Sequence, residues 1–95
     1  MDTFKDHVVI VTGGAKGIGR GLCLAFAGAE ATVICVDVDD PAGAEILKEG
    51  EGLAGTIHYV SGDVSQNAVC ESVVKDAAED YARVDVVCNN VGIQP

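Results

Sequence analysis

Val8-Val9-Ile10-Val11-Thr12-Gly13-Gly14-Ala15-Lys16-Gly17-Ile18-Gly19 is the stretch whose reading decides the fold. A run of β-branched residues ends abruptly in spaced glycines, and a helix-forming segment follows at once. Strand, tight turn and helix N-terminus in succession make a device for holding a phosphate. The first helical amides lack intrahelical partners and point outward, and the helix dipole adds partial positive charge there. Glycine is required because a Cβ would block a pyrophosphate and forbid the positive φ of the turn. The glycines fall at Gly13, Gly17 and Gly19, a G-x-x-x-G-x-G spacing. No G-x-G-x-x-G fingerprint occurs, and Lys16 precedes Gly17, so the stretch is no P-loop either. Taken alone, the pattern also fits an ordinary glycine-rich turn between strand and helix.

Working outward, the chain alternates. A strand is predicted over 7–12, near-continuously apolar as in a central parallel strand covered on both faces. A helix follows over 17–28, with Ile18, Leu22, Ala25 and Phe26 forming a buried stripe. A second strand spans 32–37. Asp40 is predicted to cap a second helix, with Pro41 at its first position. Gly50-Glu51-Gly52 ends that helix, and a third strand spans 56–61. Gly62-Asp63-Val64 turns the chain into a third helix over 66–81 capped by Ser65. A fourth strand runs over 84–89. This β-α-β-α-β-α-β order predicts an α/β fold, a Rossmann-like parallel sheet with right-handed crossovers and strand order 3-2-1-4. Strand four is expected to be an edge, and it is more apolar than edges usually are, so the sheet is expected to be incomplete there and the isolated chain weakly stable.

The 95 residues allow one small domain, 1–95. With 48% hydrophobic but only 4% aromatic residues, the core must be built from Val, Ile, Leu, Ala and Cys. A net charge of −9 argues against nucleic acid or an anionic membrane as partner. A phosphate ligand would need local help against that field, and Lys16 and Arg20 flank the turn. No signal peptide and no bilayer-spanning apolar run is read, so a soluble, cytoplasmic protein is expected. Cys23, Cys35, Cys70 and Cys88 form no C-x-x-C and each sits in an apolar segment, so reduced core thiols are expected rather than zinc ligands.

Two aspartates stand where chemistry is expected. Asp37 ends the second strand, eighteen residues after Gly19. A carboxylate there accepts from both hydroxyls of an adenosine ribose and repels a 2′-phosphate. Lys16 pulls the other way, because a lysine beside the turn tolerates the extra phosphate; the balance favours NAD over NADP. Asp63 follows the third strand in the same way. It either accepts from the exocyclic amine of adenine, with Val64 alongside, or caps the loop before the third helix.

Thr12-Gly13-x-x-x-Gly17-Ile18-Gly19, Asp37, Asp63-Val64 and Asn89-Asn90-Val91-Gly92 together resemble the short-chain dehydrogenase/reductase family, over about residues 7–92. The resemblance implies an NAD(P)-binding Rossmann fold and hydride transfer between nicotinamide and an alcohol or carbonyl substrate. It implies that Thr12, Ile18 and Gly19 line the pyrophosphate and ribose, Asp37 the ribose hydroxyls, and Asp63 and Val64 the adenine; Gly13, Lys16 and Gly17 of the turn are expected to bind the cofactor with them. Asn90 and Gly92 match the loop after strand four, beside the cofactor. Two departures stand out: Val91 replaces the family's alanine, and Glu30 stands where a glycine usually precedes strand two, with Gly28 expected to take over the helix stop. The family's catalytic serine and Tyr-x-x-x-Lys have no counterpart here, since Asp63 follows Tyr59 by four residues and Asp85 follows Tyr81 by four. Hence the expectation is the cofactor-binding half of an oxidoreductase, inactive in isolation and homo-oligomeric when complete. The alternative is a short, non-catalytic nucleotide-binding module.

Overall fold

The computed structural model describes residues 4–63 and 67–89. Seven elements follow in order: β1 (Val8–Thr12), α1 (Gly17–Gly28), β2 (Thr32–Asp37), α2 (Asp40–Gly50), β3 (Thr56–Ser61), α3 (Asn67–Tyr81) and β4 (Val86–Asn89). The strands form one parallel sheet in the order β3-β2-β1-β4. Every residue of β1 is buried, because alternate side chains serve two cores. Val9, Val11, Val33 and Cys35 face α1 and α2 together with Cys23, Ala27 and Ile46. Val8, Ile10, Ile34 and Val36 face α3 through Val73 and Ala77. This two-sided burial is the physical source of the unbroken apolar run in the sequence.

α1 buries Gly19, Cys23 and Ala27, one residue on from the expected stripe. Small side chains there let the helix backbone lie close to the sheet. Leu22 and Phe26 reach only partial burial, Ala25 is exposed, and Ile18 stands 76% exposed at the helix start.

The end of α1 also corrects an expectation. The helix continues through Gly28, and Glu30 takes the left-handed conformation with φ of 77°. The Ala31 amide donates to the Phe26 carbonyl at 3.0 Å and the Glu30 amide to the Ala27 carbonyl at 3.1 Å. That bond pair is the Schellman closure, whose left-handed position normally carries glycine. We expect Glu30→Gly to raise stability by about 0.5–1 kcal/mol by relieving the left-handed penalty, read as a higher urea midpoint; a lower midpoint would show that the Glu30 side chain stabilises the turn.

α2 begins one residue earlier than expected, at Asp40 itself. Asp39, not Asp40, is the N-cap, accepting from the Ala42 amide at 3.1 Å. Asp40 is drawn elsewhere, because its carboxylate accepts the Tyr59 hydroxyl at 2.7 Å. β4 starts at Val86 rather than Val84 for a similar reason. The Asp85 carboxylate accepts the Val8 amide at 2.7 Å, so a side chain takes the first rung of the ladder. The Arg83 guanidinium, and then that amide, hold the Asp85 carboxyl below the usual carboxylate range. β1 starts at Val8 because the His7 amide turns back to the Phe4 carbonyl at 2.9 Å. The first position of the expected third helix and its Ser65 cap lie outside the described residues.

β4 is the edge of the sheet, with Val87 51% exposed. Between it and α3, Ile10, Val36, Val73, Val74 and Val87 help line an apolar cavity of about 120 Å³. No helix among the described residues is long and apolar enough to cross a membrane.

Candidate dinucleotide site

The carboxyl ends of β1 and β2 meet at the glycine turn. Thr12 is buried, and its hydroxyl donates to the Cys88 carbonyl at 3.3 Å, tying the end of β1 to β4. Gly13 then adopts a φ of 64° and donates its amide to the Val36 carbonyl at 2.7 Å, reversing the chain over β2. Gly14 lies flat on the core: a Cβ there would stand 2.8 Å from the Cys35 sulfur, 2.9 Å from the Cys23 sulfur and 3.0 Å from the Val11 carbonyl oxygen. Gly14 is a packing glycine beneath the turn that the motif spacing misses; its signal in the sequence is the Gly-Gly doublet at a strand end.

Lys16 is the N-cap of α1 in extended conformation, and no side chain caps the helix. Gly17 has a φ of 58°, and among the described residues a Cβ added to it would meet nothing within 4 Å. The turn therefore leaves open space directly in front of uncapped helical amides, which is what a pyrophosphate needs. Gly19 is buried against the sheet, and Ile18 projects at the mouth.

Asp37 binds the turn to the next loop. Its Oδ2 accepts the Ala15 amide at 3.1 Å, and its Oδ1 accepts the amides of Val38 and Asp39 at 2.7 and 3.2 Å. Each carboxylate oxygen has two lone pairs, so Oδ2 retains capacity toward a ribose hydroxyl. Around it the charge is negative. Asp39 is held below the usual carboxylate range by the Ala42 amide and then Lys16, and Asp40 by the hydroxyls of Tyr59 and Ser61. Burial and the Asp40 carboxylate push the Tyr59 hydroxyl up, so it remains a donor.

The two expected phosphate cations are both engaged. Lys16 Nζ pairs with Asp39 Oδ2 at 3.1 Å, still beside the turn. Arg20 instead pairs with Glu49 on α2, away from the turn. Asp63 is exposed two residues past the end of β3, on the same sheet edge as Asp37. Val64, Asn90 and Gly92 lie outside the described residues.

A family model described as short chain dehydrogenase matches residues 7–95. This chain belongs to the short-chain dehydrogenase family. Among its relatives is an oxidoreductase of Thermotoga maritima, 34% identical over 92 residues, which cover 97% of this chain and 36% of that protein. A 3-oxoacyl-[acyl-carrier-protein] reductase of the same organism is 37% identical over 89 residues, 94% of this chain and 36% of the relative. The L-fucose dehydrogenase of Rattus norvegicus is 33% identical over 92 residues, 97% of this chain and 33% of the relative. A solved short-chain dehydrogenase/reductase of Mycobacterium ulcerans superposes with a TM-score of 0.91 at 27% identity, covering 99% of this chain and 35% of that one. One from Burkholderia xenovorans gives 0.88 at 31% identity, covering 97% and 37%. This short-chain dehydrogenase sequence thus spans about a third of the length of the curated relatives it matches. The strand order 3-2-1-4 and the Rossmann-like architecture expected from the sequence agree with these structures.

Proposed function

We propose that these residues form the dinucleotide-holding part of an oxidoreductase that passes hydride between a nicotinamide and an alcohol or carbonyl carbon of a small molecule. The observation that carries this reading is the open space at Gly17, in positive φ, before an uncapped helix and beside the Asp37 carboxylate. When bound, the nicotinamide supplies or accepts the hydride. The chain's own part is to hold and orient. The first amides of α1 donate to the pyrophosphate, and the Gly13 bend keeps the backbone clear of it. Asp37 accepts from the ribose diol, Thr12 fixes the end of β1, and Asp63 stands on the adenine side. Val64, Asn90 and Gly92 complete the proposed contacts.

NAD is proposed over NADP. A 2′-phosphate would face Asp37, Asp39 and Asp40, and Lys16 already shares its charge with Asp39. Because neither tyrosine is followed by a lysine at the fourth position, the 95 residues by themselves are proposed to bind without turnover. The whole enzyme is proposed to be a cytoplasmic homo-oligomer.

Fluorescence titration of this chain with NADH and NADPH tests the reading. NADH is expected to bind more tightly, and Asp37→Ala to narrow the preference by about tenfold, equivalent to about 1.4 kcal/mol. An unchanged ratio would remove Asp37 from the ribose role, and no binding of either cofactor would overturn the proposed function. Cofactor-dependent turnover by the 95 residues would overturn the binding-only part.

A further inference from the structure

Beneath the glycine turn, two thiols converge on one backbone carbon. The sulfurs of Cys23 and Cys35 would lie 2.9 and 2.8 Å from a Cβ placed on Gly14, and both side chains are fully buried. Cys23 comes from the middle of α1 and Cys35 from β2, so tertiary packing alone brings them together. The two side chains are hydrogen-bonded to each other. That bond makes them unequal. The Cys23 thiol is pushed up by sharing its proton with Cys35 and by burial. The Cys35 sulfur is pulled down because it accepts that proton, against the opposing effect of burial.

Cys88 is the competing thiol, packed at the edge of the same core. In the sheet, Val11 pairs with Cys35 on one side and Cys88 on the other. Cys35 and Cys88 are therefore two strand spacings apart, about 9–10 Å, beyond the reach of a disulfide.

We propose that Cys23 and Cys35 form a peroxide-oxidisable dithiol that closes to a disulfide beneath the glycine turn and weakens its hold on a dinucleotide. The effect on the dinucleotide rests on the function proposed above; the disulfide does not. Local opening of the glycine turn admits hydrogen peroxide to the buried pair, and Cys35 Sγ, as thiolate, attacks one of its oxygens. The O–O bond breaks, hydroxide leaves and takes up the thiol's proton as water, and Cys35 becomes a sulfenic acid. Cys23 Sγ then attacks that sulfur, the S–O bond breaks, and a second water leaves with the Cys23 proton. The two thiols lose two electrons and the peroxide gains two. Drawing the sulfurs into a covalent bond moves atoms that lie directly against Gly14. Gly14 has little room to yield toward the sheet, because the Val11 carbonyl oxygen stands 3.0 Å from where its Cβ would lie.

The test treats the reduced 95-residue chain with hydrogen peroxide and maps its peptides by mass spectrometry without reduction. The expected product has lost two hydrogens, joins Cys23 to Cys35, reverts with dithiothreitol, and still forms in Cys88→Ser. A Cys23–Cys88 link would overturn the proposal, as would Cys23 and Cys35 remaining reduced after Cys70 and Cys88 are oxidised to sulfinic acid. NADH titration of both forms reads the coupling. The oxidised form is expected to bind about tenfold more weakly, the scale of losing one hydrogen bond from the turn to the pyrophosphate. Equal binding by both forms would overturn the coupling. If neither form binds NADH, the coupling fails together with the proposed function, while the mapped disulfide still establishes the dithiol.

Discussion

Gly55→Ala is expected to unfold the chain at room temperature. An added Cβ would lie 2.1 Å from the Ala31 carbonyl oxygen, 2.8 Å from that of Ala27 and 2.9 Å from the carbonyl carbon of Glu30. All three atoms are backbone, so no side-chain rotation relieves the overlap. The same residue donates its amide to the Ala27 carbonyl at 2.7 Å, and Thr56 donates to Ala31 at 3.1 Å. Moving Gly55 away therefore breaks the hook that brings β3 to the end of α1, at the point where Glu30 is already held left-handed. A loss of about 4 kcal/mol or more falls in the range of severe core disruptions. With its incomplete β4 edge, this chain is expected at or below the low end of the usual range, about 5 kcal/mol, so that loss leaves little or nothing to hold the fold. Far-UV circular dichroism on heating checks this: the variant should show no cooperative transition above 25 °C. Gly52→Ala, in the same loop, meets nothing within 4 Å and should stay within about 0.5 kcal/mol of the parent. A Gly55→Ala melt close to that of the parent would mean that β3 does not pack against the α1 end in this way.

The features legible in the sequence are those fixed by short-range pattern. β1 and β2 read as strands because both their faces are buried, and the glycine turn reads as a turn because Gly13 and Gly17 need positive φ. Illegible features come either from a close competition between neighbouring positions or from a partner far along the chain. Glu30 is left-handed because the carbonyls of Phe26 and Ala27 close over it, although Gly28 carries the stronger local propensity to stop a helix. Asp39 and Asp40 are equally good caps, and the choice is made by Tyr59, nineteen residues beyond Asp40, whose hydroxyl engages the latter. Arg20 sits beside the turn in sequence, yet Glu49 on α2 takes its guanidinium. Cys23 and Cys35 are core residues as expected, whereas Cys70 and Cys88 are only partly buried, and contact between Cys23 and Cys35 has no signature in a helix period or a strand alternation.

Gly17→Ala should abolish dinucleotide binding while leaving the fold standing. The position carries two separate constraints. Its φ of 58° costs a non-glycine residue about 1–2 kcal/mol, which a folded domain survives. The space in front of it is open among the described residues, which offer no clash with the new methyl group. What the methyl group meets is the ligand, because it stands where a pyrophosphate must approach the helical amides. NADH affinity should fall by about 100-fold, the scale of losing one or two charge-assisted hydrogen bonds to the pyrophosphate. Gly21→Ala is the matched control one turn along α1: it also meets nothing within 4 Å, should gain about 0.5–1 kcal/mol from helix propensity, and should bind NADH like the parent. A thermal melt of each variant separates lost binding from lost structure. Parent-like NADH affinity in folded Gly17→Ala would move the pyrophosphate off this turn, and with it the reading of α1 as the anion-holding helix.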